Sequence, residues 1–271
     1  MQTVPVYLAS IALEPQRWSS RTPSYRVSHW YRSILEAGFD GIELWEYHYT
    51  LASAQERASL DAGAQRPSVT GMPVFNTYHR PYISSPEDWQ SVFSACTRLG
   101  AGMVKFNLGG DPEREQEYRD ALSEILRIKP AAVTLLCECH PGTIVEQPDS
   151  AARFFDDERF SDIGFIVHPF LIGNPKLKKW IDALGAGIMH VHTQMRDESG
   201  NMIPLSTRPE YIRGQLETLF ESGYRGGISV EFVEGTKSER DEPSYLFESA
   251  KADLATLRET LGQLGILRPG V

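Results

Sequence analysis

Short apolar runs alternate with amphipathic stretches along this chain, and the alternation repeats eight times. The runs are VYLASI (6–11), GIELW (41–45), VTGMPVF (69–75), MVKFNL (103–108), VTLLCEC (133–139), GFIVH (164–168), IMHVH (188–192) and ISVEF (228–232). Each has strand length and is rich in large or β-branched apolar residues. The stretches between them carry helix punctuation. Ser85-Pro86-Glu87-Asp88 offers an N-cap, a proline in the first turn and an acidic start, and Asp111-Pro112-Glu113 repeats the signal for a helix running to about Ile128. Gly38, Gly100, Gly185 and Gly223 stand where helices should end and the chain turns back.

Strands that alternate with helices pair in parallel, because each crossover returns the chain to the same end of the sheet. Eight such units in 271 residues predict an α/β fold, a (β/α)8 TIM barrel forming a single domain over 1–271. A doubly wound open sheet shares the alternation. It normally carries a glycine-rich phosphate turn after an early strand, and the first strands here have none; the pairs Gly109-Gly110 and Gly226-Gly227 lack the GxGxxG spacing.

In a parallel barrel the functional mouth lies at the C-terminal strand ends, where polar residues are costly unless used. The strand period of two sorts their faces. In the fifth strand Leu136, Glu138 and His140 oppose Leu135, Cys137 and Cys139. In the seventh, His190, His192 and Gln194 oppose Met189 and Val191. In the eighth, Ser229 and Glu231 oppose Ile228, Val230 and Phe232. The apolar sets should pack beneath the helices. The run Cys137-Glu138-Cys139-His140, which looks like a cluster of metal ligands, therefore divides: the cysteines become small packing residues and Glu138 points into the barrel.

Neighbouring strand ends then deliver Glu138, His168, His192 and Glu231, whose oxygen and nitrogen donors suit one divalent ion of Mn, Co, Zn, Fe or Ni better than Ca. Structural alternatives stand beside that reading. Glu138 can pair with Lys105 as a buried ion pair, and His168, preceding Pro169, can simply cap its strand.

Around the four, the expected substrate-facing residues are Glu43, His79, Arg80, Lys105, Asn107, His140, His190 and Gln194. His190 is expected to hydrogen-bond a strand end in the layer beneath the ion. The segment FNTYHRPY (75–82) is placed to close over a substrate, and WEYHY (45–49) adds ring faces suited to stacking.

Composition narrows the partners. The net charge of −9, from 27 basic and 36 acidic residues, argues against nucleic acid. The start has no basic segment, Pro5 and Glu14 interrupt its apolar run, and no stretch reaches membrane-spanning length. Three cysteines cannot all pair, which fits a reduced, cytoplasmic setting. The C-terminal helix from about Pro243 to Leu261 is expected to cover the barrel floor or to form a homodimer contact.

The stretches GFDGIELW, CECHPGT, HVHTQ and ISVEFVEG, in that order, resemble the xylose isomerase-like TIM barrels, which include sugar phosphate isomerases/epimerases, ketose 3-epimerases, inosose dehydratase and, more remotely, endonuclease IV. The resemblance covers nearly the whole chain. It implies one divalent metal held by Glu, Asp, His and Glu from the last four strands. Glu138, His192 and Glu231 match the first, third and fourth positions. His168 stands where Asp is usual, and Leu171 where a histidine often follows. Two glutamates and two histidines make a formally neutral site that should favour Zn, Co or Ni and disfavour Mg. The alternative to ligation is that His168 contacts substrate or acts as a base and the metal has three protein ligands.

The resemblance further implies an enzyme: an isomerase or epimerase of a small sugar or keto-sugar, abstracting a proton next to a carbonyl through a metal-bound enediolate, with Glu138 and Glu231 as its catalytic proton carriers. The same first step followed by loss of a hydroxyl or glycosyl group gives a lyase, such as a keto-sugar or inosose dehydratase. A DNA-repair endonuclease would need further ligands, including a D-x-H pair after the seventh strand, where this chain reads TQMRDESGNMIPLS. A barrel that only binds is the remaining alternative.

Overall fold

The computed structural model describes residues 3–64, 71–266 and 268. Its strands are β1 (Val6–Ala9), β2 (Gly41–Trp45), β3 (Val74–Asn76), β4 (Met103–Phe106), β5 (Thr134–Glu138), β6 (Gly164–Val167), β7 (Ile188–Thr193) and β8 (Gly227–Val230). They close into a parallel barrel in chain order, with β1 paired to both β2 and β8. Around it lie α1 (Val27–Glu36), α2 (Tyr47–Thr50), α3 (Ala54–Ala64), α4 (Pro86–Leu99), α5 (Glu115–Ile128), α6 (Pro148–Phe155), α7 (Asn174–Leu184), α8 (Pro209–Glu221) and α9 (Pro243–Gln263). Among the described residues no helix is long and apolar enough to cross a membrane.

Local chemistry sets the boundaries. Ser85 and Asp88 form a reciprocal capping box at the start of α4, with Pro86 inside it, and Gly100 ends the helix at a φ of 65°. The proline signal at 112 produces a short 3-10 turn, Pro112–Arg114, before α5 begins at Glu115. Several strands are shorter than the apolar runs suggest, and β1 and β3 show why. The β1 run bends into a 3-10 turn at Ser10. The third run begins at 69–70, which lie outside the described residues. Pro73 has no amide hydrogen, so ladder pairing of that run starts only at Val74, although the Pro73 carbonyl accepts from Met103 at 3.0 Å.

The apolar residues divide between two places. Leu8, Ile42, Leu44, Phe75, Val104, Phe106, Leu135, Phe165, Val191, Ile228 and Val230 belong to the core between barrel and helices, and Cys137 and Cys139 join it as the strand period requires. Inside the barrel, Val74, Leu136 and Ile166 pack with Met103 into a separate plug. Beside the plug, Gly227 admits the Tyr7 ring where a Cβ would stand 2.6 Å from it. Tyr7 in turn stacks on His190, with ring centroids 6.1 Å apart.

The last helix seals the seam of the barrel. α9 packs against α8, β8 and the turn after β1, and its Arg258 donates to the carbonyls of Val4 and Gly38 and to Asp40. Asp40 also accepts from the amide of Val6 at 2.8 Å. Arg258 therefore brings this helix to the strand-start end, the floor of the barrel.

Candidate metal centre

Glu138 ends β5, His168 follows β6 directly before Pro169, His192 lies near the end of β7, and Glu231 follows β8. Beyond β8 the ladder continues irregularly: the amides of both Glu231 and Phe232 reach the Thr193 carbonyl. That path delivers the Glu231 side chain over the barrel axis. One donor atom from each of Glu138, His168, His192 and Glu231 lies within 4.8 Å of the others.

The distances describe a crowded cage. Glu138 Oε1 is 3.0 Å from His168 Nε2 and 3.7 Å from His192 Nδ1. Its Oε2 accepts from Lys105 Nζ at 2.8 Å and from Asn107 Nδ2 at 2.9 Å. Glu231 Oε1 is 3.2 Å from His192 Nδ1, at an angle that makes no hydrogen bond, and Glu231 Oε2 accepts from Gln194 Nε2 at 3.2 Å. The same Gln194 amide nitrogen lies 3.2 Å from His168 Nδ1, and Arg196 donates to Gln194 Oε1 at 3.1 Å, which fixes the amide's orientation.

Beneath the cage, Glu43 Oε2 lies 3.1 Å from Nε2 of both His190 and His192. His190 Nε2 also lies 2.8 Å from Ser229 Oγ, and Asn76 donates to Glu43 Oε1. With its Nε2 hydrogen given to Glu43, His192 turns Nδ1 towards Glu138 and Glu231, where a cation could take the place of a proton.

Electrostatics favour a cation here. Glu43, Glu138 and Glu231 carry three formal negative charges, and Lys105 supplies one positive charge among them. Burial opposes ionisation of Glu138, but Lys105 and then the histidines outweigh it and hold the carboxyl well below the ordinary range. Glu43 is driven the same way, its burial overcome by His192 and His190. Burial also opposes a charged His192, yet Glu231 and Glu43 raise it well above the ordinary imidazole value. This cluster takes up positive charge where it can. The orphaned His192 Nδ1, two carboxylates and a second imidazole within one ion's reach fit a divalent metal of the N/O-preferring kind.

The structure brings Lys105, Asn107 and Gln194 into contact with the cage, as the sequence suggests. His140 and Arg80 stand at the rim, where His140 Nδ1 donates to the Pro141 carbonyl at 2.6 Å. Three expected substrate contacts lie elsewhere. Glu43 and His190 have no exposed surface: they sit one layer down, and their polar atoms are spent on each other, His192, Ser229 and Asn76. His79 turns away from the mouth to Ser84 at 2.8 Å and Glu46 at 3.3 Å, against Trp89.

Above the cage opens a cavity of about 470 Å³. Besides the residues named, it is lined by Trp18, Arg21, Tyr78, Arg196, Phe232 and Lys237. Of these, Trp18, Arg21, Arg196 and Lys237 escape a periodicity argument because they lie in loops. Their positions after β1, β7 and β8, at the mouth end of the barrel, are the signal that could have found them. A second cavity, about 490 Å³, lies alongside between 196–202 and 234–245 and contains none of the four cage residues.

A barrel with this closure, order and strand-end cage defines a class, and sequence comparison agrees. The family model described as xylose isomerase-like TIM barrel matches residues 31–258, and the chain belongs to that family. No curated protein matches the chain significantly. Among solved structures, the probable 3-DHS dehydratase AsbF from Bacillus anthracis superposes with a TM-score of 0.73 at 15% identity, covering 95% of this chain and 98% of that one. A xylose isomerase-like TIM barrel protein from Mycobacterium smegmatis, in complex with magnesium, gives 0.61 at 15% identity, with coverage of 96% and 100%. Endonuclease IV from Thermus thermophilus gives 0.57 at 13% identity, with coverage of 94% and 99%. At these identities the likeness is one of fold.

Proposed function

We propose that this protein is a divalent-metal-dependent enzyme that removes a proton from the carbon beside a carbonyl of a small sugar or keto-sugar, as an isomerase or epimerase. The observation that carries the reading is the cage itself: two carboxylates and two imidazoles converge on one ion-sized space, with a buried His192 nitrogen left unbonded. Glu138, His168, His192 and Glu231 are the proposed ligands, for Zn, Co, Ni, Mn or Fe more readily than Mg. When bound, the ion would supply a Lewis acid for substrate oxygens.

The chain's own residues supply the rest. Glu138 and Glu231 reach the cavity from different strands, so one carboxylate can take a proton from one face of a substrate and the other can return it. Lys105 keeps Glu138 ionised and so in the form that can take a proton, at the cost of basicity. Trp18, Tyr78 and Phe232 offer apolar ring faces to a sugar ring and narrow the access of water. Return of the proton to the same carbon epimerises the substrate, and return to the neighbouring carbon isomerises it.

A second outcome shares the first step. Lys105 Nζ is 2.8 Å from Glu138 and lines the same cavity, where an ammonium can donate to a departing hydroxyl. This supports the lyase outcome, and one fold neighbour is described as a probable dehydratase. Incubation of the metal-loaded protein with ketoses and keto-inositols in D₂O separates the outcomes. Solvent deuterium in an intact sugar supports isomerase or epimerase chemistry, and loss of water supports the lyase. Absence of both, with Glu138→Gln and Glu231→Gln leaving ligand affinity unchanged, would defeat the reading.

A further inference from the structure

Among the described residues, Arg21 and Lys237 are the non-glycines with positive φ, at 55° and 63°. A residue with a Cβ adopts this conformation at a cost, and such strain gathers at functional positions. The two come from opposite ends of the chain, one from the loop after β1 and one from the loop after β8, yet both line the cavity over the cage.

Each holds its charged head over an aromatic face. The Arg21 guanidinium lies 5.0 Å from the centroid of the Tyr78 ring, and Lys237 Nζ lies 4.0 Å from that of Trp18. Neither head has a carboxylate within 4.0 Å among the described residues; every ion pair formed there involves other groups. A ring face steadies a cation but leaves its N–H donors free. Arg80 and Arg196 stand on the same rim, donating to Tyr82 Oη at 3.2 Å and to Gln194 Oε1. The acids of this cavity, Glu138 and Glu231, both belong to the cage. A chain of net charge −9 thus sets at the entrance to its cage four cations that form no ion pair among the described residues, the carboxylates Glu234 and Glu239 lying on the adjoining cavity.

The rim is also braced. The fully buried guanidinium of Arg17 donates to the carbonyls of Ile11 and Ala12, each at 2.9 Å, and to both carboxylate oxygens of Asp241. Asp241 Oδ2 in turn accepts from the backbone amide of Lys237 at 2.8 Å. The Arg21 amide closes its own turn onto the Gln16 carbonyl at 3.0 Å. Both loops are therefore fixed before any ligand arrives, which is the condition for binding without an ordering cost.

We propose that Arg21 and Lys237, flanked by Arg80 and Arg196, receive an anionic group of the substrate, a carboxylate or a phosphate, while its carbonyl end lies at Glu138 and Glu231. The substrate class is then an acidic sugar or cyclitol rather than a neutral one. This assignment rests on the proposed function for where the reacting end lies.

Isothermal titration of the full chain tests it, once loaded with manganese and once after chelator treatment. The probes are matched pairs: gluconate with glucitol, and glucose 6-phosphate with glucose. The charged member should bind at least about ten-fold more tightly than its neutral twin in both forms of the protein, and the pair with the larger ratio names the anion. Arg21→Gln and Lys237→Gln should each reduce the charged-to-neutral preference and together erase it, and Lys237→Arg should retain most of it. If the charge preference persists but no divalent ion binds, the proposed function falls and the anion receptor stands. The receptor falls if charged and neutral members bind equally, if neither charged member binds at about 10 mM, or if the preference survives the double substitution.

Discussion

Glu43 takes the Nε2 hydrogen of His192 at 3.1 Å from below, and that bond turns the opposite ring nitrogen up into the cage. The acid has no exposed surface and can serve a substrate only through the histidine it holds. Glu43→Gln keeps the shape but removes the charge. It should weaken divalent-metal affinity by about 10- to 100-fold, measured by competition with a chromophoric chelator, with little change in the far-UV circular dichroism.

His168 decides the charge of the cage. Restoring a carboxylate with His168→Asp makes a bound divalent site formally −1 instead of neutral, so binding of Mg or Mn should improve relative to Zn by about ten-fold. Competition titrations with the three ions read this ratio directly. If His168→Ala leaves metal affinity intact, the imidazole instead serves the substrate from its place between Glu138 and Gln194.

Lys105 and Glu138 form a buried ion pair at 2.8 Å. Lys105→Met leaves that carboxylate without its nearest cation, and metal-free protein should lose about 3–5 kcal/mol of stability to urea. Added divalent ion should recover part of the loss, because it supplies the missing charge. An equal loss with and without metal would show that Glu138 does not sense the ion.

Asp253 gives a pH signature away from the cage. Burial, with Glu234 nearby, pushes its carboxyl up to about 7, although the amide of Leu205 donates to it. The folded value exceeds the unfolded one of about 3.9. The stability it contributes is therefore fully present below about pH 4 and is lost as pH rises through about 7. Asp253→Asn keeps an acceptor for Leu205 and removes this loss. The variant should melt higher than the parent at pH 8, and the difference should shrink towards pH 5.

Burial pushes the Cys96 thiol up to about 12 and also raises Cys137 and Cys139 above the ordinary thiol value. Ellman's reagent should therefore modify none of the three in the native protein and all of them in urea. Cys137→Ala with Cys139→Ala should leave metal content unchanged, since both side chains lie in the outer core.

That outer placement was readable in advance because a strand's period is two, and the same rule put Glu138, His192 and Gln194 on the inner face of their strands. Period gives the face but not the depth. Depth comes from the stagger of the barrel, which sets Glu43 beneath the two histidines it holds although its strand reads like the others. His190 and His192 differ by one inward step on the same strand, and that step separates a supporting residue from a cage residue. Loops obey no period at all. Nothing in the spacing of Arg21 or Lys237 announces that they meet at one rim, or that His79 turns aside to Glu46 and Ser84.

The clasp between Arg17 and Asp241 joins positions 224 residues apart. Arg17 stands before every cage residue in the sequence and Asp241 after them all, so the clasp spans the whole set. A substitution of Asp241 leaves all four cage residues in the chain and removes the brace at their entrance. The rim is thus a shared property of the loops after the first and the last strand, and a change in either is felt at both.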